Sequence, residues 1–268
     1  MRLLQFKLLI YLLPGFMLWA CVKTLDDEVM PLPEERMTSD FKSGMTAWYI
    51  NPTTRYDHGI MGDKVEAGGI WVEYRKRSFI YTVSDNQVFE DIQPRLFDLN
   101  GDEIPEIITI LTDIDQGASV AVFGIHQNDL QLKAQSKYIG QTHRWLNIAA
   151  INDLDDDGTV ELVWISTPHI GGILKVAHWI DNHITVIDSI AGVSNHKIGS
   201  RNMELSVVFE ENNQKTLFVP DAGFEKLIGF QWNRSKLQPM DTIWQPIDYE
   251  IPLYLQLNFQ VSDKFNGR

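Results

Sequence analysis

The stretch "DLDDDGTVELVWIS", residues 153–166, runs from a crowded acidic turn straight into an apolar segment. The stretch "DLNGDEIPEIITIL", residues 98–111, does the same 55 residues earlier. In both places the apolar segment is followed by a loop with a glycine, a second apolar segment, a short polar turn and a third segment. A repeat of this length indicates that one structural unit occurs more than once, and it constrains the topology of the whole chain.

The rest of the chain beyond residue 45 has the same character as these two stretches. Short runs rich in valine, isoleucine and aromatic residues alternate with clusters of aspartate, asparagine, glycine and proline, as strands and turns do. Such runs include "GIWVEY", "SVAVFGI", "ILKVAHWI" and "YLQLNF". Because no long segment has a 3.6-residue period, the sequence predicts an all-β fold.

Two further copies of the unit are weaker. Residues 215–240 keep the strands, but the turn before them, "EENNQ", has lost the carboxylate spacing, and residues 68–89 form a plausible upstream copy. With the strand that leads into each turn, every unit has about four strands, which is typical of a β-propeller blade. The sequence predicts a propeller of about four blades over residues 45–262, or five if the chain ends form a split blade. A β-sandwich is the alternative, and the repeat argues against it.

The charge of the chain limits its partners. It has 36 acidic and 23 basic residues, for a formal net charge of −13. A surface of this sign repels nucleic acid and anionic lipid headgroups, so we expect no nucleic-acid partner. Divalent cations and basic partners fit it better.

The N-terminus is predicted to be a signal peptide over residues 1–20. Arg2 and Lys7 precede an apolar run that is shorter than the roughly 20 residues needed to span a bilayer. Cys21 is the only cysteine, so no disulfide can form within the chain, and "LWAC" resembles the lipobox of bacterial lipoproteins. This resemblance implies a lipid on Cys21. The residues directly after Cys21 are Val22 and Lys23, not the aspartate that retains such lipoproteins in the inner membrane, so the resemblance also implies the outer membrane of the bacterial cell envelope. Plain secretion is the alternative.

The segment after the cysteine is predicted to be a lipidated tether, residues 21–44. It is polar, acidic and contains proline, and it shows no sustained period. Such a segment holds a folded domain away from the lipid.

The two acidic turns place oxygen-bearing residues at alternate positions, which is the arrangement that an EF-hand loop uses for a cation with 6–8 oxygen ligands. Without a cation, three or four carboxylates in one turn would repel each other. The alternative is that aspartate, asparagine and glycine simply make good turns. The candidate metal ligands are Asp98, Asn100, Asp102, the carbonyl of Ile104 and Glu106 in the first loop, and Asp153, Asp155, Asp157, the carbonyl of Thr159 and Glu161 in the second.

The pattern D-x-[DN]-x-D-G-x-x-[DE] before an apolar strand resembles the calcium loop of FG-GAP and VCBS repeats, the blade repeats of integrin-α-like β-propellers. The resemblance covers about residues 50–240 and implies Ca²⁺ at both loops. The loop that begins at Asp153 is the better candidate, because Glu103 stands in the first loop where the family has glycine. The later unit lacks such a loop, so we expect it to bind no calcium.

Four other loops are rich in arginine, histidine and aromatic residues and recur at the spacing of the unit. In a propeller they could meet at one end as a concave polar site; the alternative is that their side chains only satisfy backbone groups between blades. The possible ligand-binding residues are Arg55, His58, Arg144, His169 and His196.

No catalytic motif is present in the sequence: it has no H-E-x-x-H, G-x-S-x-G, P-loop or dinucleotide pattern. We therefore expect a binding or scaffolding module for a protein or glycan rather than an enzyme. The alternative is an extracytoplasmic hydrolase or lyase that acts on a polysaccharide or phosphoester at the propeller axis.

Overall fold

A computed structural model describes residues 32, 36–233 and 236–257, and within them the all-β prediction is confirmed. The predicted signal peptide, Cys21 and most of the predicted tether lie outside the described residues. The strands are β1 (Thr38–Asp40), β2 (Met45–Thr53), β3 (Glu66–Tyr74), β4 (Arg77–Thr82), β5 (Gln87–Phe89), β6 (Arg95–Phe97), β7 (Glu106–Asp113), β8 (Gly117–His126), β9 (Asp129–Gln135), β10 (Leu146–Asn152), β11 (Glu161–Ser166), β12 (Ile173–Ile180), β13 (His183–Ala191), β14 (Val207–Glu211), β15 (Gln214–Pro220), β16 (Lys226–Asn233) and β17 (Lys236–Trp244).

Sixteen of these strands form four antiparallel units in chain order: β1–β4, β6–β9, β10–β13 and β14–β17. Units three and four are separate four-stranded sheets. Units one and two belong to a single nine-stranded sheet, because β5 pairs with β3 on one side and with β7 on the other. Within the described residues no sheet closes on itself, and the four-bladed propeller stays a prediction.

Two details differ from the sequence prediction. The sheet begins at Thr38, inside the segment predicted to be tether, because β1 pairs with β2. "YLQLNF" was predicted to be a strand, but residues 253–257 are helical, and the last two letters lie outside the described residues. The leucines here suit a helix as well as a strand: Leu257 and the preceding Leu253, four residues apart, are both buried against Leu205. No helix in the described ranges is long and apolar enough to cross a membrane.

The core lies between successive units. In β7, Ile107 and Leu111 pack toward unit one, whereas Ile108 and Ile110 pack toward unit three. The strand β11 repeats this arrangement between units two and four. Because side chains alternate across a strand, a strand that is buried on both faces reads as a continuous apolar run. This explains why each acidic turn is followed by such a run.

The antiparallel order separates the connections into two ends. The acidic loops, 98–106 and 153–161, lie with the hairpins β8–β9 and β12–β13 at one end, which we call the acidic end. The loops 54–65 and 167–172 and the connections between units lie at the opposite end, which we call the histidine end. The two groups of candidate residues are therefore far apart by topology.

Candidate functional site

The two acidic loops have the same hydrogen-bonded backbone. In the first, the Asp98 carboxylate accepts from the amides of residues 101, 102 and 103. In the second, the Asp153 carboxylate accepts from the amides of residues 157 and 158. Asp102 and Asp157 each cap the amide two residues further on, at 2.8 and 2.7 Å. The first carboxylate of each loop thus holds the turn as well as offering oxygens to a ligand.

Each loop contains two residues in the left-handed region, at its fourth and sixth positions. The fourth position is Gly101 (φ 76°) in one loop and Asp156 (φ 59°) in the other, and the sixth is Glu103 (φ 67°) or Gly158 (φ 88°). Each loop therefore has one glycine where it needs two. A non-glycine residue in this region costs roughly 1–2 kcal/mol. Glu103 carries this cost in the first loop and Asp156 carries it in the second, so neither loop is free of strain.

The closing carboxylates differ between the two loops. Both are buried, and each accepts the amide of the loop's second residue, at 2.9 Å for Glu106 and 2.8 Å for Glu161. The remaining oxygen of Glu106 accepts from the Asn100 amide at 3.0 Å. In the second loop Asp155 stands at that position, and its carboxylate has no N–H to donate. Glu161 Oε1 is consequently buried with no hydrogen bond from the loop, and His178 Nε2 lies 3.0 Å from it.

Within the described residues, one group of three or more acidic, histidine or cysteine side chains has its ligand atoms within 4.8 Å of one another: Asp153, Asp155 and Glu161. This group could hold a metal ion. Asp98, Asp102 and Glu106 do not come together as closely, and Asp157 uses an oxygen to cap Thr159. The loop that the sequence favoured is thus the one whose carboxylates converge.

The electrostatics of the second loop favour a positive ligand. Burial raises the pKa of Glu161, and burial together with the Asp157 charge raises the pKa of Asp155. Lys215 Nζ already contacts the Asp156 carboxylate and lies 2.5 Å from the Asp153 carbonyl oxygen. Carboxylates that resist ionisation in this way are stabilised in their charged form by a bound divalent cation.

The fourth unit has lost the loop. Residues 210–214 form a tight hairpin in which Asn212 and Asn213 have φ values of 54° and 60°. Thr216 occupies the position of the closing glutamate, and its hydroxyl accepts from Gln231 Nε2 at 2.8 Å. A neutral hydrogen bond replaces the buried carboxylate, so the chemistry of a cation site is absent from this unit.

Each acidic loop borders a cavity that it shares with the following unit. A cavity of about 210 Å³ lies between the first loop and Trp179, and one of about 340 Å³ lies between the second loop and Trp232. Both tryptophans are the last residue but one in the third strand of their unit. Asp155 lines the larger cavity, which gives the second loop a solvent route.

At the histidine end, Glu90 connects the loop 54–65, the strand β7 and the connection that leads into β10. His58 Nδ1 lies 2.6 Å from Glu90 Oε1, Thr112 Oγ1 donates to Glu90 Oε2 at 2.8 Å, and Trp145 Nε1 donates to the Glu90 carbonyl at 2.9 Å. The ring of His143 lies 5.1 Å from that of His58. Burial of the His58 ring lowers its pKa, and the positive charge of the nearby Arg144 lowers it further.

Two further histidines form a chain beside Trp145. His196 Nε2 donates to the Ser200 carbonyl at 2.9 Å, which leaves Nδ1 to accept from His169 Nε2 at 2.9 Å. The indole of Trp145 stacks on His169 at 5.9 Å and meets His196 edge-on at 4.7 Å. Burial lowers the pKa of His169 to about 4 and that of His196 to about 3, so both rings are neutral. This tautomer leaves the Nδ1 lone pair of His169 as an acceptor.

All five predicted ligand-binding residues lie at this end; four of them form one group, and Arg55 lies outside it. Arg55 Nη1 is 3.6 Å from Asp85 Oδ1, and its Nη2 packs beside Gly68. Sequence reasoning missed Glu90 and Glu66, both buried. Burial, followed by the Glu90 charge, raises the pKa of Glu66 to about 9, and burial with the Asp91 charge raises the pKa of Glu90 to about 8. The only sequence signal was an acidic pair directly after the apolar "VF" of β5.

No protein-family model and no curated protein matches the sequence. The function of the chain is therefore inferred from its own residues.

Proposed function

We propose that this chain is a calcium-stabilised β-propeller of the FG-GAP/VCBS type, anchored by a lipid on Cys21 to the bacterial outer membrane, that acts as a binding or scaffolding module for a protein or glycan. One observation carries the calcium part of the proposal. Glu161 is fully buried, one of its oxygens has no hydrogen bond, and that side chain converges with Asp153 and Asp155. A buried carboxylate oxygen without a donor is costly unless a cation neutralises it.

The residues of the second loop fit a calcium ion. Asp153, Asp155, Asp157 and Glu161 would supply carboxylate oxygens, and the Thr159 carbonyl a neutral one, which is the hard-oxygen set that Ca²⁺ prefers. The bound ion would supply positive charge that ties the loop to the first residue of β11. In the first loop, Asn100 takes the place of a cation beside Glu106, so calcium has less to gain there.

The contacts between units support a propeller. The first strands β1 and β6, and β10 and β14, are in contact, and the last strands β4, β9, β13 and β17 contact one another in succession. Unit one also reaches the segment that leads into unit four: Gly199 N donates to the Ile60 carbonyl at 2.9 Å, and Arg201 to Asp63 at 2.7 Å. A ring of four blades has this order of neighbours.

Calcium titration of the full-length protein in detergent tests the cation part. We expect binding in about the 10⁻⁴–10⁻³ M range of extracellular modules. At 100 times the dissociation constant, calcium should raise the unfolding free energy by about 2.7 kcal/mol. Asp153→Asn, which keeps the capping oxygen, should remove most of this shift, Asp98→Asn less of it, and Asp129→Asn, an exposed residue at the same end, none. An equal shift in all four proteins would contradict the assignment.

The histidine end supports the binding part, because it gathers stacked aromatic and imidazole rings with an arginine at one place. We expect the protein to bind isolated peptidoglycan or outer-membrane polysaccharide. Arg144→Ala with His169→Ala should weaken this binding at least tenfold, since each good polar contact contributes about 1.4 kcal/mol or more. Arg75→Ala with Arg77→Ala, in the hairpin turn of the opposite end, should leave it unchanged. Unchanged binding in both double variants would place the ligand elsewhere.

The hydrolase or lyase alternative is favoured by one observation, the buried Glu90 carboxyl in contact with His58, with the buried Glu66 close enough that the Glu90 charge raises its pKa. Carboxyls with raised pKa values are suited to general-acid chemistry. The same polysaccharide samples decide between the two functions. Release of reducing ends or unsaturated products by the wild type, lost in Arg144→Ala with His169→Ala, would favour the enzyme; retention of intact polysaccharide favours the binding module.

The membrane anchor is tested by fractionation of bacterial cells. We expect the wild-type chain in the outer-membrane fraction and Cys21→Ser in a soluble fraction, because the variant has no thiol for a lipid. Detergent should release the wild type, while high salt should not, since acyl chains are held by the hydrophobic effect. A Cys21→Ser protein that stays with the membrane would contradict lipidation.

A further inference from the structure

A histidine from the next strand faces the closing carboxylate of the second loop. His178, on β12, pairs across the sheet with Glu161, and its Nε2 lies 3.0 Å from Glu161 Oε1. The contact is an ion pair, and both atoms are buried without a further hydrogen-bond partner. Two adjacent buried polar atoms that each lack a hydrogen bond indicate a shared third partner.

The first loop has no such nitrogen. The strand position that faces Glu106 on β8 is Gly124, as the register between β7 and β8 places it one step beyond the Ile107–Phe123 pair. The Glu106 oxygen that would face it is instead satisfied by Asn100. The two loops therefore share their oxygen set but differ in the element that faces it.

We propose that His178 is a metal ligand and that the Asp153 loop takes a divalent transition ion of the zinc class, in competition with calcium. The proposal rests on the proposed function in one respect, that this loop binds a cation. Asp153, Asp155 and Glu161 converge, and His178 Nε2 touches this group at Glu161 Oε1. A turn of the imidazole toward the other two carboxylates would complete a set of one nitrogen and three carboxylates, a ligand number that zinc uses. Two donors that are each about 2.1 Å from one ion lie about 3.4 Å apart at the tetrahedral angle, so the 3.0 Å between His178 Nε2 and Glu161 Oε1 would need to widen only slightly.

The nitrogen decides which ions benefit. Calcium is a hard ion that takes oxygen ligands, so an imidazole adds little to its binding. Zinc, and other ions of its kind, bind imidazole well, and each ligand of this type adds substantially to affinity. The first loop, with oxygen donors and Gly124 opposite, gives no such preference. The fourth unit supports the same logic, because Gln231 replaces the histidine where Thr216 replaces the glutamate.

The test is a pair of calorimetric titrations, with Zn²⁺ and with Ca²⁺, on the full-length protein in detergent after chelator treatment. The variants are His178→Gln, His178→Gly, which copies Gly124, and His183→Gln, an exposed histidine of the same hairpin. We expect both His178 variants to lose zinc affinity about tenfold or more while calcium affinity changes little. His183→Gln should behave as the wild type. Zinc held by the histidine end would persist in all variants.

The outcomes separate the two proposals. Zinc binding that is unchanged in both His178 variants overturns this inference, and calcium binding that is lost in Asp153→Asn would then still support the proposed function. If neither ion shows binding that depends on Asp153, both proposals fail, and the contact is an ion pair between His178 and Glu161. Melting curves without metal check that each variant is folded, and the glycine variant covers the case in which glutamine does not fit.

Discussion

Replacing Gly172 with alanine should lower the free energy of unfolding by about 4 kcal/mol or more, among the largest effects that a single substitution produces. A Cβ atom at this position would lie 1.6 Å from the Val193 carbonyl oxygen. The clash is with backbone, so no side chain can rotate to relieve it. Gly172 also holds that segment in place, because its carbonyl accepts from Gly192 N at 2.9 Å. In a domain of this size the melting temperature should fall by about 10 °C.

The neighbouring residue provides a matched control. Gly171 also has positive φ, 77°, but nothing lies within 4 Å of the place where its Cβ would be. Gly171→Ala should therefore cost only the backbone strain, roughly 1–2 kcal/mol. Urea denaturation of the two variants measures the difference. Equal losses would mean that the segment around Val193 can move away freely, and with it His196, which follows in the same connection.

Raising the pH from 5 to 8 should destabilise the protein through Glu66, which is the second large effect. Burial, with the charges of Glu90, Asp63 and Asp91, raises the pKa of Glu66 to about 9 against a reference of 4.5, while Arg201 opposes this. In the folded state the carboxyl is neutral, whereas in the unfolded chain it ionises above pH 4.5. Folding stability is therefore highest below that pH and falls by about 1.4 kcal/mol per pH unit until the folded pKa is reached.

A glutamine at this position removes the titration. Glu66→Gln should give a flatter dependence of the urea midpoint on pH and, at pH 8, a protein that is more stable than the wild type by about 4–5 kcal/mol. Glu225→Gln, an exposed glutamate at the same end, should keep the wild-type slope. Parallel curves for the wild type and Glu66→Gln would show that Glu66 is ionised in the folded protein.

The strands were predictable from the sequence because both faces of β7 and β11 are buried. This burial requires continuous apolar runs, and the acidic turns mark where they begin. The residues of β5 fall within the upstream copy of the unit. Its pairing with both β3 and β7 was not predictable, because three residues carry no signal for their partners in the sheet. The helix at 253–257 was missed because leucines at alternate positions also satisfy a strand.

In the candidate sites, too, the contacts between residues close in sequence were predictable and the contacts between distant residues were not. The ligands of the Asp153 loop lie within nine residues, so their spacing alone predicts that they converge. His178 could not be found in this way, because its place opposite Glu161 depends on the register of two strands. Glu66 begins β3 and Glu90 follows β5, and nothing near either residue in the sequence indicates that the fold buries both.

The strand β5 has a consequence for how the molecule opens. It is hydrogen-bonded to both neighbours at once, so neither of the first two units can separate without breaking a ladder that belongs to the other. Units three and four have no such shared strand; they meet through side chains and a few backbone hydrogen bonds near their connection, such as Ala222 N to the Gly192 carbonyl at 3.1 Å. The N-terminal half is thus a single cooperative block, and the seams that can part at low cost are those on either side of unit three. The Asp153 loop and its cavity border one of these seams, so a cation there would brace the molecule where it is weakest.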